Sequence, residues 1–152
     1  MIAVLRFLIV IPLGFVLACF AAAFALLWPF IDTTGAATGD PLFWLQAVLG
    51  LVAQSAQVGS TALVPWAVFM VLTESLGWRS VLLHMAAGIA GGFAVIRTAY
   101  VSAQPHASVQ TAMIVAGLTF ALVYWIVAGR GAGLWRARKA RPIETVESPP
   151  KA

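Results

Sequence analysis

Few residues of this chain are suited to acid–base or metal chemistry. The 152 residues include five carboxylates, two histidines and one cysteine. Glu74, Arg79 and His84 lie close together in the sequence and form the one grouping that resembles a site, at one end of a predicted helical bundle. A membrane enzyme or redox subunit would use His84, Glu74 or Arg97, which lies farther along the chain.

Several features that catalysis requires are missing from the sequence. No Asp or Glu falls within a predicted span, as a proton-coupled carrier would require. There is no nucleotide-binding loop, no His/Glu metal motif and no Ser–His–Asp set at a suitable depth. The single Cys19 excludes an intramolecular disulfide, and His84 and His106 are predicted at opposite membrane faces, where they cannot both ligate one haem. We therefore expect no enzyme, no cofactor and no metal site.

The charged residues near the spans are better explained as interfacial groups. Arg97 lies roughly 26 Å along a helix from Ser80, near its far end. Its long side chain can snorkel to the membrane boundary or pair with Asp32 or Asp40, and His84 is expected to lie at an interface or between helices. The candidate interfacial charges are Arg97, Asp32, Asp40, Glu74, Arg79 and His84.

A polar stripe follows the second apolar segment at helical spacing. It consists of Gln46, Gly50, Gln54, Gln57 and Thr61, and Pro65 continues it. At 100° per residue these positions share an arc of roughly 100°. Amides in hydrocarbon need partners, so the face is expected in the bundle, at a subunit interface or along a wet cavity. Interhelical hydrogen bonding is the favoured interpretation. The alternatives are the lining of a polar solute path and a partial location outside the hydrocarbon.

Small residues predict one close helix–helix contact. Gly88 and Gly92 have the GxxxG spacing that lets two backbones approach closely. A weaker ridge of small residues, Gly14, Ala18 and Ala22, lies in the first segment. Close packing within the monomer is favoured over a dimer face.

The elements that must position these residues are membrane-spanning helices. Hydrophobic residues make up 62% of the chain and charged residues 9%, and three of the four long uncharged stretches exceed the roughly 20 residues that cross a bilayer. We predict an all-α, integral membrane four-helix bundle with antiparallel spans in one domain, 1–141. The predicted spans are 7–31, 42–73, 80–99 and 109–128, with a basic flank at 130–141 and a disordered tail at 142–152. The second span is long enough to tilt, and Pro65 predicts a bend.

The distribution of basic residues predicts the topology. With both termini in the cytoplasm, eight of the nine Lys and Arg residues fall on that side and only Arg97 on the other. The flank 130–141 would bind anionic lipid head groups, so the net charge of +4 does not indicate nucleic acid. The expected location is the cell inner membrane.

These patterns support three functional hypotheses. The first is a non-enzymatic accessory or scaffold subunit that acts by helix–helix contact with a membrane protein partner or a second copy. The alternatives are a small oligomeric channel or facilitator, whose path Gln54, Gln57 and Thr61 would line, and the redox or enzyme subunit described above. No motif is specific enough to name a family.

Overall fold

The structure, a computed structural model, describes residues 2–31, 39–100 and 104–133, and all regular structure in these ranges is helical. The elements are α1 (Ile2–Leu5), a π-helical turn (Arg6–Val10), α2 (Ile11–Leu27), a 3-10 turn (Trp28–Phe30), α3 (Pro41–Leu76), α4 (Val81–Ala99), α5 (Ala107–Val127) and a second 3-10 turn (Gly129–Gly131). Residues 134–152, which include most of the predicted basic flank and the predicted tail, lie outside the described ranges.

Four of the helical segments are long and apolar enough to cross a membrane. They are Arg6–Phe30, Pro41–Leu76, Val81–Ala99 and Ala107–Val127. The prediction of an all-helical chain with four candidate spans is confirmed. The longest, α3, has 36 residues, which at about 1.5 Å per residue is roughly 54 Å and exceeds the thickness of the hydrocarbon core.

Local sequence signals define where α3 begins and ends. The Asp40 carboxylate accepts a hydrogen bond from the Leu42 amide at 2.9 Å, and Pro41 occupies the first helical turn, where its missing N–H costs nothing. Gly77 ends the helix in the left-handed conformation, at φ +69°. The helix is continuous through Pro65.

Helix α5 lies between α2 and α4, whereas α3 packs mainly against α2. We call the end of the molecule that carries Arg6, Glu74 and Ala128 the basal end, and the end that carries Phe30 and Pro41 the distal end. At the basal end Arg6 contacts Glu74. Farther along the first span and α3, the tilted rings of Phe15 and Trp66 pack with their centres 4.3 Å apart, and Cys19 lies beside Gly59.

Small residues bring α5 close to its neighbours. A β-carbon on Gly88 would collide with the carbonyl oxygen of Gly117, and one on Gly92 would come within 3.0 Å of Ile114 Cα. The structure therefore places the two glycines of the GxxxG spacing against α5 of the same chain. Such contacts stabilise helix pairs in lipid because they increase the packed surface between backbones.

The weaker ridge of the first segment also faces the interior. Gly14 lies beside Ala128, while Ala18 and Ala22 are buried. Large side chains such as Leu82 are exposed, at 76% for Leu82 itself. Small residues inside and large apolar residues outside are the arrangement expected when the surrounding solvent is lipid.

Candidate functional site

The basal end contains a partly buried ion pair between the first and second spans. Arg6 Nη2 lies 2.5 Å from Glu74 Oε1, and Arg6 Nε donates to the same oxygen at 3.1 Å. The second carboxylate oxygen, Oε2, accepts from the Gly133 amide at 2.9 Å. Arg6 Nη2 also donates to the Ala128 carbonyl at 2.7 Å. Both carboxylate oxygens of Glu74 are thus engaged by the protein itself.

The segment 128–133, which follows α5, is fixed at this end by further hydrogen bonds. Arg79 Nε donates to the Ala132 carbonyl at 2.7 Å, and Trp125 Nε1 donates to the Arg79 carbonyl at 2.8 Å. Ala128 and Ala132 are each 1% exposed. Gly133 adopts φ +71° and lies against Gly77, so a side chain there would meet both backbone strain and a neighbour. We call Arg6, Glu74, Arg79 and the segment 128–133 the basal cluster.

His84 lies next to Gly129 of the basal cluster and is 1% exposed. Its Nδ1 is 2.9 Å from the Ser80 carbonyl oxygen, which requires the proton on Nδ1. Nε2 has no hydrogen-bond partner and lies against Gly129, where a β-carbon would come within 2.9 Å of it. Phe69 and Tyr124 pack their rings against the imidazole, so the surroundings are those of a packed core histidine.

The structure brings the three residues of the predicted grouping to one end but does not bond them to one another. Glu74 pairs with Arg6, Arg79 binds a backbone carbonyl, and His84 binds the backbone of its own helix. Sequence reasoning did not name Arg6 as the partner of Glu74. The alternation of the spans could have indicated this pair. When consecutive spans alternate in direction, the start of the first span and the end of the second lie at the same membrane face.

Two of the other predicted charges, Arg97 and Asp40, lie at the distal end. Arg97 is exposed near the end of α4, and Asp40 is exposed and caps α3. Within the described ranges the ion pair found is Arg6–Glu74, so Arg97 does not pair with Asp40 there. Asp32 lies outside those ranges. No three His, Cys, Asp or Glu side chains of the described part of the chain are grouped to hold a metal ion.

The polar stripe of α3 points away from the helix that α3 packs against. Gly59 and Trp66 contact Cys19 and Phe15 of α2, and the buried Ser55 lies on the same side of α3. At 100° per residue, the centre of the stripe lies roughly 150° around the helix from this contact. Gln54 is half-buried, and the other members of the stripe are exposed: Gln46, Gly50, Gln57, Thr61 and Pro65.

Hydroxyl groups on this face are hydrogen-bonded within their own helix. Ser60 and Thr61 both donate to the Gln57 carbonyl, at 2.9 and 3.0 Å. A hydroxyl can reach the preceding turn in this way, which lowers its demand for an external partner. The Gln57 side-chain amide is exposed beside them. We call Gly50, Ala53, Gln57, Ser60 and Thr61 the Gln57 face.

The contacts between α2 and α3 set the depth of the Gln57 face. Gly59 is level with Cys19, in the middle of the first span. At about 1.5 Å per residue, Gln57 lies roughly 3 Å from that level and Gln46 roughly 20 Å from it, near the level of Phe30. Gln57 therefore lies at hydrocarbon depth if the first span crosses the bilayer, while Gln46 lies at the distal edge.

No known protein family, curated protein or solved structure matches this chain.

Proposed function

We propose that this chain is a non-enzymatic inner-membrane protein that acts by helix–helix contact, as an accessory or scaffold subunit. The observation that carries the proposal is the exposure of the Gln57 face at the depth of the first span. A primary amide that faces lipid loses its hydrogen bonds with water and gains none in return. Contact with another helix removes that cost.

The basal cluster supports a structural role for the charged residues. Its carboxylate and guanidinium groups are bonded to each other and to the backbone of segment 128–133. A catalytic acid or base must reach a substrate, whereas Glu74 is 5% exposed and both of its oxygens already accept hydrogen bonds. We therefore assign the cluster to holding α3, α2 and the end of α5 together.

We infer an antiparallel bundle with both termini in the cytoplasm. The pairs Arg6–Glu74 and Cys19–Gly59 advance in opposite directions along the first span and α3, which supports the antiparallel arrangement. The excess of Lys and Arg at the basal end supports its cytoplasmic side. Arg130, whose guanidinium lies 5.8 Å from the Trp125 ring centre, begins a flank suited to anionic lipid head groups.

A second candidate function is an oligomeric channel or facilitator. The same observation supports it, because several copies arranged around an axis would turn Gln54, Gln57 and Thr61 toward a shared path. Replacement of Gln54 and Gln57 by Leu should then abolish solute flux into proteoliposomes. An unchanged flux would remove this candidate.

The experiment that tests the leading proposal is purification of the tagged protein in nanodiscs, followed by native mass spectrometry. A foreign membrane subunit present at fixed stoichiometry supports the accessory role and identifies the process. A homo-oligomer that carries no other chain favours the channel. A monomer that carries no other chain contradicts both.

A further inference from the structure

We infer that the Gln57 face of α3 binds the same face of a second copy of this chain, with the two Gln57 amides hydrogen-bonded to each other. This inference rests on the proposed function by helix–helix contact and names one partner for it. Three observations carry it: the chemistry of the face, its shape and its depth.

Two copies of the Gln57 face are chemically complementary to each other. The face contains no charged residue, so two copies meet without repulsion and neither requires an oppositely charged partner. A primary amide carries two N–H donors and one carbonyl acceptor. Two Gln57 side chains can therefore each donate to the other. The hydroxyls of Ser60 and Thr61 already bond to the Gln57 backbone carbonyl and leave the amides free for this exchange.

The shape of the face permits a close approach between backbones. Gly50, Ala53 and Ser60 lie within two turns of Gln57 on the same side of the helix, and all three are exposed. A β-carbon built on Gly50 would meet nothing within 4 Å in the monomer. Small residues combined with an amide are the composition that drives helix association in lipid.

The geometry of membrane insertion sets the register. All copies of the chain insert with the same orientation, so two α3 helices related by a two-fold axis along the membrane normal run parallel. In such a pair each residue meets its own counterpart. Gln57 then lies opposite Gln57 at a depth where water does not compete for the hydrogen bonds. Gln46, on the same side of the helix, lies opposite its counterpart at the distal edge, where water is available.

The first test compares two identical substitutions at different depths. Dimerisation of the full chain in nanodiscs or liposomes is measured by energy transfer between labelled copies. Gln57→Leu should raise the dimer dissociation constant about tenfold, the effect of losing one to two interhelical hydrogen bonds in lipid. Gln46→Leu should change it by less than about twofold, because water can replace the lost contacts. A monomeric wild type, or equal effects of the two substitutions, would overturn the inference.

The second test locates the contact and keeps both Gln57 amides. In a Cys19→Ala background, Ala53→Cys, one turn from Gln57 on the same exposed face, should form an interchain disulfide on mild oxidation. Val115→Cys, on the exposed side of α5, should cross-link at least tenfold more slowly, a margin chosen to exceed random collision. Equal rates at the two positions would contradict a specific α3 contact.

The outcomes separate this inference from the proposed function. A dimer that depends on Gln57 but carries no foreign subunit supports the inference and makes the second copy the partner in the proposed helix–helix contact. A foreign subunit on a monomeric chain supports the accessory role and contradicts the inference.

Discussion

The basal cluster and the Gln57 face differ in whether their polar side chains find hydrogen-bond partners elsewhere in the monomer. At the basal cluster, Glu74 is enclosed and each of its oxygens accepts a hydrogen bond from another part of the chain. On the Gln57 face, the hydroxyls bond within their own helix while the amide points outward. One region satisfies its polar groups inside the monomer, and the other leaves the Gln57 amide exposed on the surface of the monomer. Under the inference above, polarity stabilises the monomer in the first region and its association in the second.

The largest expected effect comes from breaking the ion pair of the basal cluster. Glu74→Ala leaves Arg6 without its counter-ion and the Gly133 amide without an acceptor, so we expect a loss of about 3 kcal/mol in the free energy of unfolding. Reversible denaturation in mixed micelles measures it. The Arg6→Ala/Glu74→Ala double variant should lose less than the sum of the single variants. Simple additivity would show that the pair is not coupled.

A second prediction compares a protein-facing and a lipid-facing glycine on α4. Gly88→Ala places a methyl group against the Gly117 carbonyl and Ala121, and we expect it to destabilise the fold by about 2 kcal/mol through overpacking. Gly91→Ala, which meets nothing within 4 Å, should be neutral or stabilising by up to about 1 kcal/mol, since alanine favours the helix. The same denaturation measurement compares them. Equal losses would contradict the close contact between α4 and α5.

A smaller effect is expected at the edge of the basal cluster. Trp125→Phe keeps the aromatic ring but removes the Nε1 donor to the Arg79 carbonyl. One hydrogen bond contributes about 1 kcal/mol, and the exposure of Arg79 lets water replace part of it. Hydrogen exchange of the amides in segment 128–133 should accelerate by about fivefold or less. An unchanged rate would show that this bond does not hold the segment.

The smallest effect on the monomer is expected on the Gln57 face. Gln57→Leu should change the unfolding free energy of the monomer by less than about 0.5 kcal/mol, because the amide is exposed and outside the packed surfaces. Denaturation at a protein-to-lipid ratio low enough to prevent association measures it. A loss comparable with that of Glu74→Ala would show that Gln57, like Glu74, stabilises the monomer, and would contradict the difference between the two regions.

Part of the candidate site follows from sequence patterns and part does not. The helical spacing of Gln54, Gln57 and Thr61 places them on neighbouring sides of one helix, whatever that helix packs against. The direction in which that face points depends on which strip of α3 contacts α2. The sequence does not reveal this strip, because its members Gly59 and Trp66 do not differ in type from residues that face lipid. Likewise, the sequence shows Gly88 but not its partner Gly117, because the GxxxG spacing gives no information about the helix it meets.

The sequence by itself determined the helical segments of this protein, their apolar length and, to within about three residues, where α3 starts and stops. These properties are local, since backbone hydrogen bonds close within one segment and the Asp40 and Gly77 caps act on neighbouring residues. Only the tertiary structure decided that Glu74 pairs with Arg6, that α5 lies between α2 and α4, and that the Gln57 face points outward. These outcomes depend on which helices become neighbours. In an almost uniformly apolar chain many pairings bury similar surfaces, so small residues and a few polar contacts select among them.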